Sequence, residues 1–224
     1  MITPRLQSIL NYSHADIIAD IGTDHAYIPI SLINEKKARH VIASDLKEGP
    51  LNSARRNIDA AGLGEKIETR LGSGISVLAP GEAEQIIIAG MGGELIENIL
   101  RENPEIAEKS ELLLQPMNAQ YELRKYLLHH GFTIQYEDIS VEGFKVYNLM
   151  IAKKGEVKPF ERDIDYHLPP YLMEHPFYQQ LYDKKRREFT KVIQGIENAK
   201  YKDEEKLALY RFWLEEMEHK KRND

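Results

Sequence analysis

The chain has 224 residues, 42% of them hydrophobic, no cysteine and a formal net charge of −6. These values suit one α/β domain of average size with a smaller appendage, and they exclude disulfides, thiolate metal sites and thiol nucleophiles. The N-terminus lacks the apolar segment of a signal peptide and no apolar run approaches the ~20 residues that cross a bilayer, so a soluble, cytoplasmic, non-membrane protein is expected.

Thr3 before Pro4 reads as an N-cap with proline at the first helical position, opening a short helix with Leu6, Ile9 and Leu10 on its apolar face. Strands are predicted over 16–21, 40–45, 66–71, 85–89 and 111–115, with helices over 27–37, 50–62, 93–103 and 118–130 between them. Ile86-Ile87-Ile88 and Leu112-Leu113-Leu114 are apolar throughout, as strands buried on both faces are. Alternating β and α segments imply right-handed crossovers and a doubly wound sheet. Two longer strands, 132–140 and 144–153, flank Val141-Glu142-Gly143 and read as an antiparallel hairpin. The predicted fold is therefore α/β and Rossmann-like: five parallel strands plus an antiparallel hairpin, the sheet of a class I methyltransferase. A polar linker is expected from 155 to 170, which puts the domain boundary at 155/156. Two helices follow, near 175–200 and 203–222. Their expected apolar positions are Phe177, Leu181, Phe189, Val192 and Ile196, then Leu207, Tyr210, Leu214 and Met217, pairing as a C-terminal helical hairpin.

Ligands of open α/β sheets bind beyond the carboxyl ends of the strands. The first such loop is Asp20-Ile-Gly-Thr-Asp-His25. It lacks the three glycines that let a backbone crowd a pyrophosphate, and Asp20 and Asp24 flank its single glycine. Carboxylates repel a dinucleotide but suit S-adenosylmethionine, which carries an ammonium and a sulfonium and no phosphate. Helix capping is the competing role for the two aspartates. Asp45 ends the second strand, where a carboxylate can accept both hydrogen bonds of a ribose diol. Gly72-Ser73-Gly74 would line an adenine. Gly90-Met91-Gly92-Gly93 follows the fourth strand, where glycines admit a planar acceptor close to the backbone. Gln115 and Asn118 could frame the same pocket, or merely cap the next helix. His25 rests on its place in the loop, since a lone histidine is more often structural. The eight histidines form no metal-ligand spacing, and no metal is expected. Lys184-Lys185-Arg186-Arg187, with Lys191 one turn on, is either a phosphate-binding face or a solvated one. The acidic overall charge argues mildly against a nucleic-acid binder.

Taken together and in order, these loops resemble the bacterial TrmK-type tRNA (adenine-22, N1)-methyltransferases. The stretches that carry the resemblance are Arg5-Leu6, Asp20-Ile-Gly-Thr-Asp-His-Ala-Tyr-Ile-Pro29, Ala43-Ser-Asp45, Arg70-Leu-Gly-Ser-Gly74, Ile88-Ala-Gly-Met-Gly-Gly93 and Leu114-Gln-Pro-Met117. The resemblance covers the whole chain, its helical hairpin more in layout than in residues. It implies a tRNA-binding enzyme that methylates N1 of an adenine in the D-loop region. Carried over by position, Arg5, Asp20, Gly22, Thr23, His25, Asp45, Leu46, Gly72, Ser73, Gly74, Ala89 and Met91 would contact the cofactor. Tyr27, Gly90, Met91, Gln115 and Asn118 would surround the base, and Lys184, Lys185, Arg186, Arg187 and Lys191 would grip the tRNA backbone. Adenine N1 already offers a lone pair, so no general base is required. A monomer is expected. The competing readings are a methyltransferase of small molecules or another RNA that dimerises through the hairpin, and a non-catalytic scaffold.

Overall fold

The all-apolar strands lie in the interior of one seven-stranded sheet in the computed structural model, which describes residues 2–222. The chain divides into two compact units, Met1–Pro159 and Phe160–Asp224.

In the first unit β1 (Ile17–Ile21), β2 (His40–Asp45), β3 (Ile67–Leu71), β4 (Gln85–Met91) and β5 (Glu111–Pro116) run parallel. The hairpin of β6 (Phe132–Glu142) and β7 (Lys145–Lys154) closes one edge antiparallel, in the order β3-β2-β1-β4-β5-β7-β6. This is the class I methyltransferase sheet expected from the sequence. Because strand side chains alternate, Ile87 and Leu113 face one way and Ile86, Ile88, Leu112 and Leu114 the other. The first set is covered by α1 (Pro4–Tyr12), α2 (Tyr27–Asn34) and α3 (Glu48–Ala60), through Leu10, Leu32 and Ile58. The second is covered by α4 (Gly93–Glu102), α5 (Pro104–Ala107) and α6 (Gln120–His129), through Ile96, Ile106 and Leu127. Each fully buried aliphatic side chain contributes about 1.5–3 kcal/mol, which is why this pattern dominates the fold.

Two polar devices fix the edges. Arg124 of α6, fully buried, forks onto Glu137 of β6, and Asn148 of β7 donates to the same carboxylate at 2.8 Å. Thr3 accepts from Leu6 N and caps α1, while Ser8 donates to Asp138 of β6 at 2.6 Å, so α1 holds Arg5 over the sheet edge. The hairpin turn falls one residue later than expected, on Gly143-Phe144, with Gly143 at φ +61 and Glu142 paired to Lys145.

In the second unit α7 (Ile164–His167) lies inside the stretch expected to be a polar linker. Ile164, Tyr166 and Leu168 are buried there, Trp213 donates to Asp163 at 3.0 Å, and Lys220 donates to Asp165 at 2.6 Å. The aspartates of this polar stretch are satisfied by partners about 50 residues later, a pairing that local composition does not display. The two long helices are α8 (Tyr178–Glu197) and α9 (Glu204–Arg222), which pack together. Leu181, Tyr182, Phe189 and Ile193 of α8 and Leu207, Trp213 and Met217 of α9 are buried, with the Phe189 and Trp213 rings 5.6 Å apart. Ile193 and Trp213 take the core positions expected for Val192 and Leu214.

Candidate active site

Strand order reverses between β1 and β4, which pair directly and deliver their carboxyl ends side by side. Such a switch point leaves a crevice that no crossover covers. The loop leaving β1 is pinned by Gly22 N and Thr23 N, which donate to Ser44 O at 2.8 and 2.9 Å. It then passes through two left-handed residues, Asp24 and Ala26. Ala26, fully buried, is the cap residue of α2 and supplies no side-chain bond, so neither Asp20 nor Asp24 caps that helix. An alanine held in this region costs about 1–2 kcal/mol, a strain of the kind concentrated at binding loops. Asn57 Nδ2 donates to His25 O at 3.0 Å and ties the loop to α3.

The crevice is a cavity of about 390 Å³. Arg5, Asp20, Gly22, Thr23, His25, Tyr27, Ala89 and Gly90 line it, joined by Leu6, Asp24 and Ile28. Asp20 is 3% exposed, and burial pushes its carboxyl up to about 6, with the Thr23 hydroxyl opposing this and Asp45 adding to it. No cation is among the groups that act on it. His25 Nε2 stands 3.7 Å from Asp24, and its ring is 5.5 Å from that of Tyr27, which is 59% exposed.

The loop after β4 crosses in front of this cavity. Gly90 sits at φ +78 in a register break of the sheet. The Met91 side chain lies over Gly22: a Cβ on Gly22 would come within 2.4 Å of Met91 Cε. Gly92 and Gly93 serve a different purpose from the one expected. A Cβ on Gly93 would meet Ala119 O at 2.4 Å, and one on Gly92 would meet Asn118 Oδ1 at 2.9 Å. They admit the neighbouring loop, not an acceptor. Asn118 is exposed and is not the cap of α6, whose cap position is Ala119. Gln115, 1% exposed, accepts from Arg5 Nη1 at 2.9 Å and from Gly90 N at 3.2 Å. It positions two walls of the site from behind.

Asp45, Leu46, Gly72, Ser73 and Gly74 lie along the same carboxyl edge but outside this cavity. Asp45 accepts from Lys47 N at 2.9 Å, and Gly72 N donates to Asp45 O at 3.0 Å. Arg70 braces that turn by donating to Val77 O at 2.8 Å and to Glu82. A second cavity, about 320 Å³, shares Arg5 and Gly90 with the first and is completed by Thr3, Met117, Glu142, Lys145 and Tyr147. Met117 ends the Leu114-Gln-Pro-Met stretch, but no motif marks Glu142, Lys145 or Tyr147 in the sequence, because only the sheet brings the hairpin beside β5. Among the described residues no cluster of side chains suits a metal ion.

On α8 the basic cluster divides. Arg186, Arg187 and Lys191 are exposed and, with Asp183, Thr190 and Gln194, line a shallow cavity of about 380 Å³; Lys184 is half-buried. Lys185 departs from expectation. It is 6% exposed, on the face of Leu181 and Phe189, and its ammonium donates to Glu188 at 2.9 Å. Helical spacing forces this, since consecutive residues cannot share one face.

A family model described as a methyltransferase domain matches residues 2–150. A Bacillus subtilis tRNA (adenine(22)-N(1))-methyltransferase is 36% identical over 157 residues, which are 69% of this chain and 66% of that protein. The crystal structure of the B. subtilis m1A22 tRNA methyltransferase TrmK superposes with a TM-score of 0.86 at 28% identity, covering 98% of each chain. A candidate tRNA (m1A22) methyltransferase of Streptococcus pneumoniae, in complex with S-adenosyl-L-methionine, gives 0.85 at 32% identity over 98% of this chain and 99% of its own. The chain belongs to the TrmK-type tRNA methyltransferases. The cofactor of the methyltransferase is S-adenosylmethionine, and the first cavity fits it. A buried carboxylate with no cation acting on it is costly unless a ligand brings one. Among the described residues no helix is long and apolar enough to cross a membrane.

Proposed function

We propose that this methyltransferase transfers a methyl group to N1 of adenine 22 in tRNA, the reaction for which its B. subtilis relative is named. The observation that carries the reading is the buried Asp20 carboxylate, on which no cation acts, in a crevice between the ends of β1 and β4. S-Adenosylmethionine supplies, when bound, a methyl group made electrophilic by its sulfonium. Asp20 attracts the cationic end of that cofactor, with Gly22, Thr23 and His25 around it and Arg5 opposite. Asp45 receives the ribose hydroxyls, beside Leu46, and Gly72, Ser73 and Gly74 border the adenine of the cofactor. Ala89 and Met91 close the floor.

The acceptor needs no deprotonation, because adenine N1 has a free lone pair and becomes a cation on methylation. Alignment and exclusion of water therefore carry most of the acceleration. N1 lies on the pairing edge, so the base leaves its stack before transfer. Tyr27, exposed beside the first cavity, is the candidate to flank that base from the cofactor side, while Gln115, held by Arg5, fixes Gly90 where the two cavities join. Arg186, Arg187 and Lys191, flanked by Lys184, neutralise tRNA phosphates. The setting of this reaction is the cytoplasm, where tRNA is found.

The test is incubation with labelled cofactor and an unmodified tRNA transcript, followed by mapping of the modified nucleotide. One methyl group on N1 of adenine 22 is expected. Label appearing only on metabolites from a cell extract would replace this reading with a small-molecule methyltransferase.

A further inference from the structure

The second cavity lies at the end of the β6–β7 hairpin, beside the cofactor crevice. We propose that it is the purine subsite of the reaction, with Glu142 as the residue that selects adenine through its exocyclic amino group. This rests on the reading above, that the acceptor is an adenine of tRNA. Three observations lead to it.

The first is position. The cavity shares Arg5 and Gly90 with the cofactor crevice, so occupants of the two meet across Gly90. Beside Gly90 the wall common to both is the Arg5 guanidinium: an added Cβ on Gly90 would find Arg5 Nη1 at 3.6 Å. The second is the character of the walls. Tyr147 is 7% exposed and lies under the Arg5 guanidinium at 5.8 Å, while Met117 opposite is 43% exposed. The Met117 thioether and the Arg5 guanidinium, which covers the Tyr147 ring, are surfaces on which a planar base stacks.

The third is a pair of uncommitted charges. Glu142 and Lys145 face each other across the hairpin register, yet neither makes an ion pair or side-chain hydrogen bond among the described residues. A half-buried carboxylate accepts hydrogen bonds only. It can accept from the 6-amino group of adenine, whereas the 6-oxo group of guanine would place oxygen against oxygen. The same carboxylate lies close enough to favour the positive charge that N1 methylation leaves on the ring. Phe144, between these two residues at the hairpin tip, is 90% exposed. It is an apolar side chain with nothing to cover it in the free protein, suited to fill the gap left when the base leaves its stack.

The experiment compares wild type and Glu142→Ala on tRNA transcripts carrying at position 22 either adenine or purine, the base without its 6-amino group. Calorimetry with S-adenosylmethionine serves as the control for folding and is expected to be unchanged. Wild type is expected to lose about tenfold in kcat/KM when the amino group is removed, as is typical of a lost hydrogen bond to a charged partner. Glu142→Ala should lose a similar factor on adenine and nothing further on purine. Losses that multiply, or a variant as active as wild type on adenine, overturn the assignment. Wild type that leaves adenine 22 of the normal transcript unmethylated overturns the underlying reading instead. Phe144→Ala adds an independent check. Its activity should fall several-fold on folded tRNA and recover when the nucleotide opposite adenine 22 is mismatched, since the base then leaves at lower cost. A loss that the mismatch does not relieve removes the hairpin tip from the subsite.

Discussion

At the scale of single residues, Asp20 illustrates how a binding site opposes folding. Its carboxyl is pushed up to about 6 by burial, against an ordinary value near 4. In the ligand-free protein the ionised group therefore opposes folding above about pH 6, and that opposition fades as the pH falls towards 4. Asp20→Asn is expected to raise the melting temperature of the free protein at pH 7, measured by calorimetry. The same substitution should weaken S-adenosylmethionine binding at least about tenfold, because the neutral amide no longer attracts the ammonium. In the wild type, affinity should be flat above about pH 7 and fall as the pH drops through 6, approaching tenfold per pH unit once Asp20 is protonated. Titration calorimetry between pH 5 and 8 tests this, and an affinity indifferent to pH would remove Asp20 from the site. Asp20 could be picked out in the sequence because carboxylates around a lone glycine are chemically odd for a dinucleotide loop. Glu142 and Tyr147 could not: an acidic residue near a turn and an aromatic in a strand are what any hairpin contains.

At the scale of elements, glycines separate into those that a neighbour requires and those that it does not. Gly93 starts α4 against the backbone of Ala119, so Gly93→Ala is expected to cost about 1–3 kcal/mol by forcing the loops after β4 and β5 apart. Gly49 lies in α3 with nothing within 4 Å of an added Cβ, so Gly49→Ala should be neutral or stabilise by about 0.5 kcal/mol. Chemical denaturation of the two variants distinguishes them, and equal effects would contradict the packing argument. The sequence placed the Gly-Met-Gly-Gly loop correctly at the functional edge but assigned Gly92 and Gly93 to an incoming base. Spacing along the chain says that backbone must come close to something; only the fold says to what. The α7 stretch carries the same lesson, since it reads as a polar linker while Trp213 and Lys220 hold its Asp163 and Asp165.

At the scale of the molecule, the two units divide the work as we propose it: the first holds cofactor and base, the second meets RNA. Reversing Arg186, Arg187 and Lys191 together to glutamate is expected to weaken tRNA binding at low salt, to flatten its salt dependence by up to about three units of slope, and to leave cofactor binding unchanged. Filter binding over a salt series tests it, and unchanged tRNA affinity would remove this face from the interface. Lys185→Glu should act differently, destabilising the helical unit by placing a second carboxylate beside Glu188 in a buried position.

What the sequence determined by itself was the architecture and the cofactor class. Both follow from local rules, the period of apolar residues and the charge of one loop, and neither needs distant partners to be known. The tertiary structure alone decided which candidate residues share a cavity, why Lys185 turns inward, and that Thr3, Met117, Glu142, Lys145 and Tyr147 form one pocket. The physical reason is range: strand pairing and helix faces join residues more than a hundred positions apart, and no local pattern records which of them will meet.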